Sequence, residues 1–430
     1  MSETSNTAQI AVDTLVNQID SDIASYLEAC VHCGECAEAC HFYETTKDPK
    51  YTPTYKLMPL VKVYKQHKSP LRWVTQIFGG PEPITEEELR DWEELVYDSC
   101  NMCGRCTLVC PMGIDIAGTI RKMREGYAAA EIYPDGLKQA RKNVERTSSP
   151  MGVTEKALLV QVGKQEKETG LKIPVDVEGA DYLALLSSHE IMASPEIMGA
   201  YAKIFERAGV SWTLSTKAYE ATNVGVQIGS GPLAKQLVQR VVDEAERLGV
   251  KYVISPECGH AYGAIRWAGP NMIGRTFDFE VMHILEVLDQ LRAEGRIPKG
   301  ERDSRKMTMH DPCQIVRRGG LLNEPRRLLD ESCSNFTEMK DHGITNYCCG
   351  GGGGVSANPR AEELMVGAFG NKMKQIEELG EIEAVVVPCA NCRGVFEDGL
   401  FELDREDEFE VIGLAQLVAD TLADDPKPAE

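Results

Sequence analysis

One spacing, present twice, most constrains what this chain can fold into. "CVHCGECAEAC" sets Cys30, Cys33, Cys36 and Cys40 at C-x2-C-x2-C-x3-C, and "CNMCGRCTLVC" repeats it with Cys100, Cys103, Cys106 and Cys110. Three thiolates at this spacing wrap one corner of an iron–sulfur cube, while the fourth, a helical turn later, reaches the neighbouring cluster of a two-cluster site. The expected assignment therefore crosses over: Cys30, Cys33, Cys36 and Cys110 hold one cubane [4Fe-4S] cluster, and Cys100, Cys103, Cys106 and Cys40 hold the other. Zinc is the plainer reading of C-x2-C pairs, but it closes with two pairs and has no use for a third cysteine after another two-residue gap. The first group ends in His41 where the second has Pro111. That departure leaves the ligand set intact, because the proline shapes a turn and is not a ligand.

About sixty residues separate the groups, and stretches such as "YKLMPLVKVYKQ" and "ITEEELRDWEELVYDS" place apolar residues three and four apart, the helical period. The fold expected here is an α-helical ferredoxin domain over residues 26–148, after an N-terminal arm (1–25). It continues through "IAGTIRKMREGYAAAEIY" and ends where "RTSSPMG" clusters Ser, Pro and Gly. The chain has 430 residues, enough for two to three domains. Its net charge of -21 argues against nucleic acid and anionic membrane surfaces as partners. No run of about 18 apolar residues offers a membrane span, and the N-terminus lacks the basic and apolar regions of a secretory signal. Fifteen clustered cysteines point to metal ligation in a reducing compartment, the cytoplasm, rather than to a disulfide framework.

Beyond residue 149 the pattern alternates strand and helix. "DYLALLSSH", "EIMGAYAKIFERAG", "VSWTLS", "GPLAKQLVQRVVDEAERLG" and "VKYVISPECGH" form one series, with Leu233, Leu237, Val241, Ala245 and Leu248 on one helix face and a stop at Gly249. A second series runs through "KMTMHDPC", "EPRRLLDES", "CCGGGGG", "RAEELMVGAFGNKMKQIEELG" and "IEAVVVPCANC"; between the two, "MHILEVLDQLRAEGRIPKG" reads as a helix and linker. The fold class is therefore α/β behind a helical N-terminal domain, with a duplicated α/β region. A degenerate first half covers 149–300, an intact half 301–420, and a tail 421–430.

The second half carries cysteines as C-x34-CC-x39-C-x2-C, through Cys313, Cys348, Cys349, Cys389 and Cys392. Five glycines, Gly350 to Gly354, follow the adjacent pair. A phosphate-binding loop is the alternative for such a run, but the Lys-Ser/Thr ending of a P-loop is missing. Overlaying the halves puts Ser188 or His189 opposite Cys313, Asn223 and Val224 opposite Cys348 and Cys349, and Glu257 and His260 opposite Cys389 and Cys392, with Cys258 shifted by one position.

"HDPC", "CCGGGGG" and "PCANC" resemble the cysteine-rich CCG domain of the heterodisulfide reductase catalytic subunit (HdrD/HdrB-like), shared with iron–sulfur subunits of lactate and glycerol-3-phosphate oxidation. "EACVHCGECAEACHFY", "DSCNMCGRCTLVCPMGIDIA", "EATNVG" and "PECGHA" bring the resemblance closest to DsrK/TmcB-type iron–sulfur subunits of membrane redox complexes. It covers roughly residues 25 to 400. The resemblance implies a noncubane [4Fe-4S] cluster on Cys313, Cys348, Cys349, Cys389 and Cys392, and soft thiolates suit such a cluster. Glycines after Cys349 allow close backbone approach, and their amides can donate to sulfide and tune its potential. Where both halves keep their cysteines the family implies two such clusters flanking a disulfide; here one can form.

Two functions follow. As an enzyme, the chain reduces or forms a disulfide or trisulfide, presented as a small thiol/disulfide or on a small sulfur-carrier protein. As a pure electron-transfer subunit, it links a quinone-reactive cytochrome to another redox protein. The five sulfurs and Cys258 with His260 are the candidate catalytic residues, and His189 and Glu257 complete the surface expected to face the substrate. Cys258 beside histidines reads as an activated thiolate or a proton donor with His260, or equally as a buried small residue beside a structural relic. His310 and Asp311 read as groups that orient ligands. Arg317 and Arg318 read either as a dock for an anionic substrate or as a solvated pair, and Cys333 as a buried free thiol. Membrane association, on the inner cytoplasmic face, is expected through a b-type cytochrome partner.

Overall fold

The computed structural model describes residues 4–70, 72–77, 82–220 and 223–423. Ala221 and Thr222 of "EATNVG", and the tail from residue 424 on, lie outside them. The chain divides into two compact units, the first made of residues 1–139, 224–234 and 347–372, the second of 140–223, 235–346 and 373–430.

Helices build the first unit. Thr4–Gln18 presents Ala8, Ala11, Val12 and Leu15, all buried, at the spacing of one helix face. It packs on helix Ile116–Ala129, and Gly126 sits at the crossing because a Cβ there would fall 2.4 Å from Leu15 Cγ. Between the two cysteine groups the chain is helical as expected, through His41–Thr46, Pro53–Lys56, Met58–His67 and Glu86–Glu93. Thr85 caps the last of these by accepting from Glu88 N. Helix Glu362–Glu377 brings its first turns to the same unit, where Gly367 closes on Thr45 and Asn371 donates to Thr45 Oγ1 at 3.0 Å.

Among the described residues all seven strands lie in the second unit, and the strands pair with one another in parallel. One sheet runs β2-β1-β3-β4, with β1 Tyr182–Ala184, β2 Trp212–Thr213, β3 Tyr252–Ser255 and β4 Glu280–His283. The other runs β5-β6-β7, with β5 Met307–Met309, β6 Ala384–Val386 and β7 Glu410–Ile412. Central strands of parallel sheets are buried on both faces and so read as continuous apolar runs; "AVV" of β6 is fully buried. Helix Gly231–Leu248 covers the first sheet with Val238, Val241, Val242 and Ala245 against Leu183, Leu185 and Val253. Each of these valine and leucine side chains contributes about 1.5–3 kcal/mol on burial.

The segment "MHILEVLDQLRAEGRIPKG", expected as helix and linker, contains the end of strand β4 before helix Ile284–Ala293. An edge strand of alternating burial with Glu280 exposed carries too few apolar residues to signal itself. The second half has no counterpart of β2 among the described residues; single bridges Met307↔Phe336 and Asp303↔Cys333 stand beside β5 instead.

Candidate functional site

Each cysteine group folds into the same loop. His32 (φ 52) and Met102 (φ 55), both non-glycine residues in the left-handed region, occupy the third place of each repeat, and Gly34 (φ 91) and Gly104 (φ 77) the fifth. A left-handed non-glycine residue costs about 1–2 kcal/mol. Its repetition at matched positions is strain held for a purpose, turning three successive thiols toward one point. Helices Glu35–Glu38 and Arg105–Val109 follow the loops and pack on each other, which brings the fourth cysteine of each group to the other's loop.

Cys30, Cys33, Cys36 and Cys110 line one cavity together with Thr54, Leu57 and Ile116. Burial pushes the Cys36 thiol up to about 11, and the Cys30, Cys110 and Cys33 sulfurs push in the same direction. Four crowded sulfurs, with no lysine or arginine in the lining among the described residues, suit thiolates that share a metal group. In the second group Cys103, Cys100 and Cys40 all act on Cys106, whose thiol is raised by burial first and by those sulfurs next. Burial also raises Cys40, but Lys56 and then His41 outweigh it and leave that thiol lowered. Each crossed set of four sulfurs is thus brought together.

Asn101, to which no sequence motif points, joins the second group to the glycine run. His41 Nε2 donates to Asn101 Oδ1 at 2.5 Å, and Asn101 Nδ2 donates to Gly350 O at 2.6 Å and Gly352 O at 2.9 Å. Gly353 (φ 65) lies against it so closely that a Cβ would meet Asn101 backbone atoms at 2.9 Å. Gly350 (φ 107) likewise would place a Cβ 2.9 Å from Met365 O. His41, the apparent departure from the motif, is therefore part of a buried bridge from Cys40 and Cys100 to the residue after Cys349. Arg124, equally unmarked, is fully buried and donates to Cys100 O at 2.8 Å, Gln227 O at 2.7 Å and Gly353 O. No local sign distinguishes either residue; only their partners, far along the chain, give them a role. Asn101→Leu, which strands two buried carbonyls and an imidazole, is expected to lower stability by about 2 kcal/mol in denaturant unfolding of the anaerobic holoprotein.

Cys348 and Cys349 are buried in the first unit. Cys313, Cys389 and Cys392 are buried in the second, Cys313 in the loop after β5 and Cys389 as the N-cap of helix Ala390–Glu402. Cys389 is lowered, first by a hydrogen bond from Cys392, against burial that raises it; the helix N-terminus favours the thiolate too. Asp311 braces this region: Arg326 donates to both of its oxygens at 2.9 Å, and Asn346 Nδ2 donates to its carbonyl. Arg317 donates to Ile344 O at 2.6 Å and Asn346 Oδ1 at 2.8 Å, so it holds the loop rather than lying as a solvated residue; Arg318 is exposed. His310 is buried with its ring 5.2 Å from that of Phe396. Cys333 is a buried thiol at the end of helix Glu324–Ser332.

The degenerate half departs from expectation in two ways. Cys258 (φ -147, ψ 100) is the N-cap of helix Gly259–Tyr262, as Cys389 (φ -155, ψ 115) is of its own helix, and each donates its N–H two residues back, to Pro256 O and Val387 O. Strand register, in contrast, matches Ile254 with Val386, since each accepts from the strand next to it, from Leu185 N and His310 N. The first half thus holds one residue more between strand and helix, and Cys258 takes the capping place of Cys389. The same register sets Ser188 opposite Cys313. Burial, and next the Cys389 sulfur, raise the Cys258 thiol, which favours the reading of a buried small residue over that of an activated thiolate. Glu257 is corrected: instead of facing a substrate it is fully buried, bonded to Arg393 Nη1 and accepting from Ala415 N at 3.0 Å. His189, next to Gly394, is lowered by burial and then by Arg393; it and His260 are half-buried. Val224 opens helix Val224–Ile228 in the first unit.

Among the described residues no helix is long and apolar enough to cross a membrane. Residues 26–114 match the model of a 4Fe-4S dicluster domain, and residues 307–397 that of a cysteine-rich (CCG) domain. The chain is 28% identical to the Hdr-like menaquinol oxidoreductase iron-sulfur subunit 2 of Archaeoglobus fulgidus, over 87% of this chain and 76% of that protein. It is 24% identical to the HdrD protein of the dihydromethanophenazine:CoB–CoM heterodisulfide reductase of Methanosarcina barkeri, over 92% and 94%. It is 27% identical to the EtfAB:quinone oxidoreductase of Syntrophomonas wolfei, over 91% of this chain and 58% of that longer protein. The two domain matches and these relatives support the HdrD-like, CCG-domain family for this chain, and with it the role of an iron–sulfur oxidoreductase protein that carries 4Fe-4S clusters and transfers electrons.

Proposed function

We propose that this chain reduces or forms a disulfide or trisulfide in the manner of a heterodisulfide reductase, as the iron–sulfur subunit of a quinone-linked, membrane-associated complex. Two cubane clusters are held by Cys30, Cys33, Cys36 and Cys110 and by Cys100, Cys103, Cys106 and Cys40. A noncubane cluster is held by Cys313, Cys348, Cys349, Cys389 and Cys392. When bound, these groups supply one-electron storage and, at the five-thiol site, reactivity toward a sulfur–sulfur bond. Cleaving one disulfide to two thiols consumes two electrons and two protons. To His260 we assign the proton given to a departing thiolate.

The observation that carries this reading is a second set of five cysteines, all buried and outside the dicluster motif, one of them at a helix N-terminus that favours its thiolate. The kinship with menaquinol and quinone oxidoreductases and with heterodisulfide reductase supports a quinone-linked partner of cytochrome b type, with peripheral attachment to the cytoplasmic face. A small sulfur carrier or a free thiol/disulfide is the substrate class. The closed pair of Glu257 with Arg393 of the intact half favours a second reading, an electron relay without sulfur chemistry, because it leaves the degenerate half no exposed acid at this position.

Anaerobic purification is expected to give about 12 iron atoms per chain, as three four-iron clusters require. Cys349→Ser is expected to remove the noncubane electron paramagnetic resonance signal and leave both cube signals. In the parent protein that signal should change when a thiol substrate is added under oxidising conditions. An unchanged signal leaves the relay; loss of all three clusters in Cys349→Ser with an unfolded spectrum means the fold has collapsed, and the thiol titration of the parent protein then decides alone.

A further inference from the structure

Two cations are buried against the second cysteine group, and among the described residues neither forms an ion pair with a carboxylate. Lys56 is 2% exposed; its ammonium donates to Ser99 O, lies 3.4 Å from Cys40 Sγ and sits 5.3 Å over the Phe42 ring. Arg124 is 0% exposed, and its bonds go to carbonyls, Val96 O and Cys100 O among them, with the Tyr97 ring 4.7 Å away. The nearby acid Asp98 is taken up by Arg360 and Asn358. A buried charge without a counter-charge is strongly disfavoured. Both cations are explained if their counter-charge is the anionic group that four thiolates carry.

The cavity of the first cysteine group is different. Its lining includes Val31, Thr54, Leu57, Pro111 and Met112 but no lysine or arginine among the described residues. Adding an electron adds a negative charge and breaks no bond, so a fixed cation a few ångströms away favours it, the more so in a low-dielectric interior.

We propose that Lys56 and Arg124 are fixed counter-charges to the cluster of the second cysteine group and hold its reduction potential above that of the first. The inference rests on the two-cube reading above. It makes the first group, flanked by exposed Val31 (66%) and Met112 (48%), the entry for electrons. The second group is then the place where they settle, beside the His41–Asn101–Gly350 bridge. Lys56 and Arg124 are positioning residues, not catalytic ones.

The test is a dithionite titration of the full-length holoprotein followed by electron paramagnetic resonance, in the parent and in Cys33→Ser, Lys56→Gln and Lys56→Met. The parent should give two cube midpoints, of which Cys33→Ser abolishes the lower. Lys56→Gln and Lys56→Met should lower the upper midpoint alone, reducing its one-electron equilibrium constant about tenfold or more, where tenfold is about 59 mV. Loss of the upper signal in Cys33→Ser, or constants within about threefold of the parent in both Lys56 variants, overturns the proposal. Should the Lys56 variants fail to load the second group, the order seen with Cys33→Ser decides. Fewer than two cubes in the parent, by iron content and signal, removes the two-cube reading and this inference with it.

Discussion

Arg393→Met is expected to destabilise the protein by about 3–5 kcal/mol, the range for removing one partner of a buried ion pair. The guanidinium is 3% exposed and Glu257 0%, so neither charge is relieved by water. Without Arg393, Glu257 stays in place, because its backbone and carboxylate join four segments. Its N–H donates to Glu190 Oε1 at 3.2 Å, its carbonyl accepts from Ala390 N at 2.7 Å, and Oε1 accepts from Ala415 N at 3.0 Å. An uncompensated carboxylate is left in the interior. The double variant Arg393→Met with Glu257→Gln keeps an acceptor for Ala415 and removes the stranded charge, so it should recover at least half of the loss. Urea unfolding of the anaerobic holoprotein, read by circular dichroism, measures both. A single variant within about 1 kcal/mol of the parent would show that the pair is not held as described.

A second large effect should appear in pH dependence. Burial raises the Glu220 carboxyl from its ordinary 4.5 to about 7, against hydrogen bonds from Ser188 and Ser149 that lower it. Ser188 Oγ donates to Glu220 Oε2 at 2.5 Å and contacts Ser149 Oγ at 2.6 Å, so the acid sits in a closed chain of hydroxyls. For a carboxyl raised in the fold, the folded state holds its proton after the unfolded chain has released it. Its contribution is therefore undiminished below pH 4.5, falls as pH rises to about 7, and is flat above. A shift of that size corresponds to about 3 kcal/mol. Glu220→Gln removes the titration, so its stability relative to the parent should climb by about that amount between the two limits. A difference that stays constant across this range would refute the assignment. Glu190, also raised to about 7 by burial, acts in the same direction in both proteins.

The legible parts of the molecule were those whose signal is local. The doubled cysteine spacing needs only one loop and one turn of helix, and the gathering of Cys30, Cys33, Cys36 and Cys110 in one cavity follows from it. Strands β3 and β6 announced themselves as apolar runs because both faces are covered, whereas the edge strands β4 and β7 did not. The overlay of the halves found Cys258 one position off but not the reason, a single extra residue between strand and helix that lets Cys258 take the capping place of Cys389.

The residues that join elements were illegible for a different reason. Asn101 meets Gly350 across 249 positions and Arg393 meets Glu257 across 136; nothing beside either residue announces its partner. Lys56 reads as an ordinary lysine of an amphipathic helix until the fold turns it inward to Cys40. By itself, then, the sequence determined which thiols are spaced as candidate ligands, because ligand chemistry and loop geometry are encoded within a few residues. Only the tertiary structure decided which charges are buried beside those ligands and which carboxylates are sealed away, because burial is a property of the whole packed chain and sets the cost of every charge within it.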